Sequence, residues 1–214
     1  MEKINVEENK NNFIELYNQL ITREGKEDML RWICESDFFT APASTKYHLN
    51  QEGGLCLHSL HVFFRLVEIC KTELPDVSDE TMAIAALLHD LCKCNSYTVS
   101  TKNVKSYAPA DIAVASRYEI KHDSGGDFVW KAVPCYTFNE EFPMGHGEKS
   151  LVLVMEHIKL TEEEKLAIRW HMGFSDASFK GGSGSVGEAF SKSKLAVCLH
   201  LADIEATYFD EAER

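Results

Sequence analysis

Apolar residues recur every three or four positions along most of the chain, which is the spacing that places side chains on one face of an α-helix. In the first such stretch, Phe13, Tyr17 and Leu20 share one face. Helix ends are marked by residues such as Pro75 and by Ser78, a favourable N-cap. The pattern predicts helices over Asn11–Thr22, Asp28–Phe38, Leu55–Thr72, Thr81–Leu91, Gly147–Ile158, Glu162–His171 and Glu188–Phe209.

The stretch between residues 96 and 144 is the least helical part of the chain. Tyr97–Tyr107 and Phe128–Phe138 are rich in Val, Thr and aromatic residues and alternate in part, which is typical of strands. We predict that they form an antiparallel pair, with a short helix over Pro109–Ile120 between them. The sequence therefore predicts an all-α fold: a single helical domain over residues 1–214 with a small β-hairpin insertion at about 95–143.

Composition and charge narrow the class of protein. With 214 residues, 44% of them hydrophobic, the chain can form one compact domain. The net charge of −12 argues against a nucleic-acid partner, which requires a basic face. The longest apolar runs, such as Met82–Leu88, are too short to span a membrane, and no apolar signal core follows Met1. Together with seven scattered cysteines, these features predict a cytoplasmic protein.

The charge is unevenly distributed. Between Lys93 and Lys131, six basic residues stand against four acidic ones, a local excess of +2 in a chain of net charge −12. Two interpretations remain open: a chance excess on a short segment, or a positive rim that faces an anionic substrate.

Histidine and aspartate interrupt three strongly apolar helical runs. His89-Asp90 ends the run Ala83–Leu88, His58 lies within Leu55–Phe64, and Asp203 follows Leu195–Ala202. For an isolated His-Asp pair, an Asp90–Lys93 ion pair beside a core histidine is a sufficient explanation. Three buried helices that each carry such a residue need another explanation, because buried polar groups must be satisfied. Mixed imidazole and carboxylate ligands suit a divalent metal ion.

These residues carry a resemblance to a known family. Their order resembles that of the HD superfamily of metal-dependent phosphohydrolases, over Tyr47 to about Tyr208. The matching segments are Gly53-Gly54-Leu55-Cys56-Leu57-His58-Ser59, His89-Asp90-Leu91-Cys92-Lys93 and Leu201-Ala202-Asp203. The combination in this order is specific, whereas His-Asp alone is not. The chain departs from the family where nothing in the insertion aligns, and at Cys92, where the motif often has glycine.

The resemblance implies a two-metal site. The first ion would be held by His58, His89, Asp90 and Asp203. Asp90 would bridge to a second ion held by His146 and His171. The implied cofactor is a divalent metal (Fe, Mn, Co, Ni, Zn or Mg). The residues alone also allow His146 to be a loop histidine at a helix start, and His171 to be a cation at a helix C-terminus.

Further residues have candidate roles around this site. Two ions can activate a shared hydroxide and hold phosphoryl oxygens for attack, so Asp90 and Lys93 are the candidate catalytic residues; Lys93 would contact a phosphate oxygen or steady Asp90. Glu148 is a candidate to orient His146. The glycine-rich stretch Gly182–Gly187 fits a dinucleotide motif but follows no strand, and we interpret it as a loop that could cover the site. His48 could touch substrate, and His61 and His200 are predicted to edge the pocket or pack.

The sequence thus predicts an enzyme that hydrolyses a phosphate ester or anhydride of a small, nucleotide-like substrate. Two alternatives remain. HD-like proteins with the same six ligand types include di-iron oxygenases, and a degenerate HD-like domain would only bind or signal. The second alternative is the weaker, because all six ligand positions are filled here. No oligomeric state is predicted.

Overall fold

The computed structural model describes residues 3–177 and 184–212. They are mostly helical, as predicted, with a small antiparallel sheet. The helices are α1 (Val6–Leu20), α2 (Lys26–Glu35), α3 (Gly54–Glu73), α4 (Asp79–Leu87), α5 (Pro109–Val114), α6 (His146–Met155), α7 (Glu162–Trp170), α8 (Ser185–Lys192) and α9 (Lys194–Glu205). The strands are β1 (Tyr97–Ser106), β2 (Lys121–Asp123) and β3 (Gly126–Phe138).

Capping residues set several helix ends. The Ser78 hydroxyl accepts a hydrogen bond from the Thr81 backbone at 3.1 Å and begins α4. Thr161 and Glu164 form a reciprocal capping box at the start of α7, as the sequence pattern predicts. The predicted long final helix is wrong in one respect: it breaks at Ser193. The Ser193 side chain accepts from the Ala196 backbone at 3.2 Å and so caps α9 as a separate helix.

The chain divides into two compact units. The helical unit comprises residues 1–97 and 139–214, and the second unit is Thr98–Phe138, which falls inside the predicted insertion. In the helical unit, α3, α4, α7 and α9 surround the core, and every residue from Met82 to Leu88 is buried. Close approach requires glycine at Gly54, where a Cβ would lie 2.1 Å from the Leu49 carbonyl oxygen.

The second unit contains more sheet than the sequence indicates. Its strands are ordered β1-β3-β2, and the tight hairpin joins β2 to β3, with Lys121 opposite Phe128. The predicted two-strand hairpin of Tyr97–Tyr107 and Phe128–Phe138 is therefore incomplete. Strand β2 was missed because its three residues are too short and too polar to show alternation. The predicted helix over Pro109–Ile120 ends at Val114.

Two further expectations concern membrane-spanning helices and the predicted glycine-rich loop. None of the helices within the described residues is both long and apolar enough to cross a membrane. Of the predicted glycine-rich loop Gly182–Gly187, residues 182 and 183 lie outside the described residues. The loop prediction is wrong for Ser185–Gly187, which form the start of α8.

Candidate metal centre

Two of the candidate ligands lie at the ends of their helices, and each makes the same local hydrogen bond. Helix α4 stops at Leu87, so His89 and Asp90 lie in a turn and not on the predicted helix Thr81–Leu91. The His89 Nδ1–H donates to the Ala86 carbonyl at 2.7 Å. In a continued helix that carbonyl would accept from the Asp90 backbone, so the imidazole replaces the backbone donor.

His171 repeats this arrangement at the end of α7. Its Nδ1–H donates to the Ile168 carbonyl at 2.7 Å, and the helix ends one residue earlier, at Trp170. A carbonyl oxygen can only accept, so Nδ1 carries a proton in both rings and Nε2 is the nitrogen that remains for another partner. Both rings are fully buried and their centroids lie 4.8 Å apart. The two helix ends thus aim the Nε2 atoms of two imidazoles at one place.

His58, on α3, faces carboxylates with both ring nitrogens. Its Nε2 lies 3.3 Å from Asp203 Oδ1, on α9. Its Nδ1–H donates to Glu211, whose two oxygens lie 3.0 and 3.1 Å away. The sequence did not single out Glu211. It also accepts a hydrogen bond from His61 Nδ1 at 2.9 Å, so His61 does belong to the edge of the cluster.

His146 opens α6 and completes the ring of imidazoles. Its Nε2 lies 2.7 Å from Asp90 Oδ1, and its Nδ1 lies 3.3 Å from Cys92 Sγ. Helix α6 can approach α7 closely because residue 147 is glycine: a Cβ there would lie 2.1 Å from the Arg169 carbonyl oxygen. The predicted partner of His146, Glu148, instead pairs with Arg169.

Asp90 is the centre of the cluster, buried and 2% exposed. Its Oδ1 lies 2.7 Å from His146 Nε2 and 3.4 Å from His171 Nε2. Its Oδ2 lies 2.6 Å from Lys93 Nζ. Oδ2 also lies 3.5 Å from His89 Nε2 and 3.6 Å from His58 Nε2. The Asp90–Lys93 ion pair of the simpler interpretation is therefore present, but inside a ring of four imidazoles.

The pKa values in the cluster depend on the balance between burial and the charges nearby. Burial by itself would lower the pKa of His58, but Glu211 and Asp203 outweigh it and raise that pKa to about 10. Burial lowers the pKa of His89 to about 4. Burial would raise the pKa of Asp90, yet Lys93 and the adjacent imidazoles hold it well below its usual range. The carboxylates remain ionised and attract a cation, whether a proton or a metal ion.

The donor set fits a divalent metal on an observation independent of the family resemblance. The Nε2 atoms of His89 and His171 are buried and have no hydrogen-bond partner among the described residues. Buried polar atoms are rarely left unpaired, and imidazole nitrogens beside carboxylates are common ligands of divalent ions. Ligand atoms within 4.8 Å of one another form four groups among the described residues. They are His58/His89/Asp203, His89/Asp90/His171, Asp90/Cys92/His146 and His48/His58/Glu211.

The structure therefore brings all six predicted metal residues into one cluster that could hold metal. The groups do not follow the predicted division between two ions: His171 groups with His89 and Asp90, while His146 groups with Asp90 and Cys92. The His48 ring lies 5.0 Å from that of His58, and His200 donates to the His171 carbonyl at 2.6 Å. Cys92 and Glu211 are the residues of the cluster that sequence reasoning missed.

No family model matches the chain. Comparisons with characterised proteins and with solved structures likewise give no significant match.

Proposed function

We propose that the protein is a metal-dependent phosphohydrolase with an HD-type site that holds two divalent ions. The observation that carries the proposal is the convergence of His58, His89 and His171 on Asp90. The Nε2 atoms of His89 and His171 are buried in this cluster without a hydrogen-bond partner among the described residues. Buried ionised carboxylates and buried imidazole nitrogens without a partner are costly unless a cation balances the charge and pairs the nitrogens. The motif order and its resemblance to the HD superfamily add the reaction class to this argument.

The chain's own residues would have separate tasks in the reaction. His58, His89 and Asp203 would hold the first ion, and Asp90 would join it to the second, held by His146 and His171. Bound ions of this kind supply an activated water and positive charge for phosphoryl oxygens. Nζ of Lys93 carries a charge beside Asp90 Oδ2, and Asp90 raises the pKa of Lys93, despite burial. Lys93 therefore stays protonated and can donate to a phosphate oxygen.

A small, nucleotide-like phosphate is the proposed substrate. The local positive excess between Lys93 and Lys131 supports an anionic substrate, and the acidic remainder of the chain disfavours a nucleic acid. The buried cation Lys93 favours phosphate chemistry over the alternative di-iron oxygenase, because phosphoryl transfer develops negative charge that a fixed cation stabilises. A non-catalytic binding domain is the remaining alternative.

The test starts from protein purified without oxygen. Its metal content is measured, the metal is removed with a chelator, and the apoprotein is reloaded with Mn²⁺, Fe²⁺, Co²⁺, Ni²⁺, Zn²⁺ or Mg²⁺ in turn. Each form is assayed for phosphate release from aryl phosphates and nucleoside mono-, di- and triphosphates, and the iron form for oxygen consumption. We expect phosphate release that requires metal and that disappears in His89→Ala.

A matched control is His157→Ala. His157 is half-buried and its ring lies beside Trp32, and it belongs to none of the possible metal groups of the described residues. This variant should retain metal and activity. Oxygen consumption without phosphate release would move the assignment to the oxygenase, and metal binding with neither activity would leave a binding domain.

A further inference from the structure

Both nitrogens of one imidazole are engaged by acids from a single C-terminal segment. Asp203, near the end of α9, lies 3.3 Å from His58 Nε2, and Glu211, eight residues later, accepts the proton of His58 Nδ1 at 3.0 Å. The first is a predicted metal ligand. The second lies beyond Tyr208, where the resemblance to the HD superfamily ends, so the family pattern assigns it no role.

The backbone between these acids explains how Glu211 reaches the ring. Helix α9 passes into a single π-helical turn, Ala206–Asp210, and the Glu211 backbone N–H donates to the Ala206 carbonyl at 3.1 Å. Isolated π-turns are rare and are frequent at functional sites. The wider turn changes the direction of the residues that follow, and the Glu211 side chain is fully buried.

Two other side chains of α3 contact this segment. Asp210 pairs with Arg65 of α3, one helical turn after His61, which donates to Glu211 at 2.9 Å. Glu211 thus receives two imidazole N–H groups from α3, one from His58 and one from His61.

We propose that Glu211 is a positioning residue for the metal centre. It keeps Nδ1 of His58 protonated and fixes the ring, so that Nε2 offers its lone pair to the first ion. His89 and His171 use neutral main-chain carbonyls for this task, whereas His58 uses an ionised carboxylate. A carboxylate acceptor increases the basicity of a ligating imidazole, and loss of such a partner typically weakens metal binding about 10–100-fold.

This inference rests on the metal-binding part of the proposed function and not on phosphate hydrolysis. The test is therefore metal affinity, measured for Zn²⁺ and Co²⁺ by competition with a chromophoric chelator on the full chain. Glu211→Ala should weaken affinity about 10–100-fold. Glu211→Gln keeps an acceptor oxygen of nearly the same reach, so we expect a smaller loss and a partial rescue relative to alanine.

Asp210→Asn is the matched control. It removes the adjacent acid and its Arg65 pair but leaves the hydrogen bonds to His58 and His61, so metal affinity should stay within about twofold, since exposed pairs contribute little. A double-mutant cycle tests the route. In a His58→Ala background, Glu211→Ala should cause no further loss, because coupled residues are not additive.

Two further readouts separate positioning from a general structural role. Imidazole ¹⁵N spectra of the zinc form should report a single Nδ1-protonated tautomer for His58, and a mixture in Glu211→Ala. Equal melting losses with and without metal, at unchanged affinity for the ion, would overturn the proposal. Weaker metal binding in a protein that hydrolyses no phosphate would leave it standing and reject only the hydrolase.

Discussion

The replacement Asp90→Asn separates the electrostatic and the metal-binding roles of the central carboxylate. Asparagine has nearly the same shape, so it opens no cavity, but it removes the charge that faces Lys93 Nζ at 2.6 Å. Lys93 is itself largely buried, with 14% of its side chain exposed. Removing one partner of a buried pair leaves an uncompensated charge and costs about 3–5 kcal/mol.

For a chain of this length, that loss should lower the melting temperature of the chelator-treated protein by about 6–20 °C. Urea unfolding gives the free energy directly. Asp90→Asn/Lys93→Met removes the stranded charge as well, so most of the stability should return. Elemental analysis should find bound metal in neither variant, because both lack the Asp90 carboxylate.

Asp28→Asn is the matched control, because Asp28 and Arg31 form an ion pair with the same three-residue spacing on an exposed helix surface. Its effect should be below about 1 kcal/mol. If Asp90→Asn were as mild as this control, or if the double variant were no more stable than the single one, the electrostatic account of Asp90 and Lys93 would be wrong. Wild-type metal content in Asp90→Asn would exclude Asp90 as a ligand.

Two further predictions concern regions away from the cluster. Glu164 pairs with Arg23 at 2.6 Å, so Glu164→Gln should lower the free energy of unfolding at pH 7 by about 3 kcal/mol. This is the low end for a buried pair, because Arg23 keeps Glu80 as a second carboxylate partner. Burial would raise the pKa of Glu164, but Arg23 and nearby donors lower it from 4.5. The contribution of Glu164 to the free energy of unfolding is therefore present above pH 4.5 and lost as the pH falls further. Urea titrations at pH 7 and pH 3 should show that the stability difference between the two proteins shrinks, and a constant difference would contradict this. Alanine at three lysines of the insertion should raise KM for a phosphorylated substrate with kcat nearly unchanged. Alanine at three lysines of the helical unit serves as the control. An unchanged KM in the insertion variant would show that these lysines do not bind the substrate. The insertion lysines are Lys102, Lys105 and Lys131.

Part of the fold and of the site follows from local pattern. A repeat of three to four residues requires only that one helix face be buried, so α3 and α7 could be predicted close to their observed bounds, whereas α1 begins five residues before the predicted Asn11. Ser78 and Thr161 act on backbone groups within three residues, and their roles were readable for the same reason. His58, His89 and Asp203 stand out because a charged or imidazole side chain in an apolar run has to meet other polar groups in the core.

Tertiary structure alone decided which groups those side chains meet. One exception is local: the His89 imidazole takes the Ala86 carbonyl and α4 ends before it, a hydrogen bond that hydrophobic periodicity does not report. Glu211 lies beyond the segments that resemble the HD superfamily, yet it contacts His58, 153 positions earlier in the chain. A contact of that kind depends on a π-turn and on the packing of two distant helices. Hydrogen-bond partners are set by position in space, whereas a sequence pattern reports mainly which face of an element is buried.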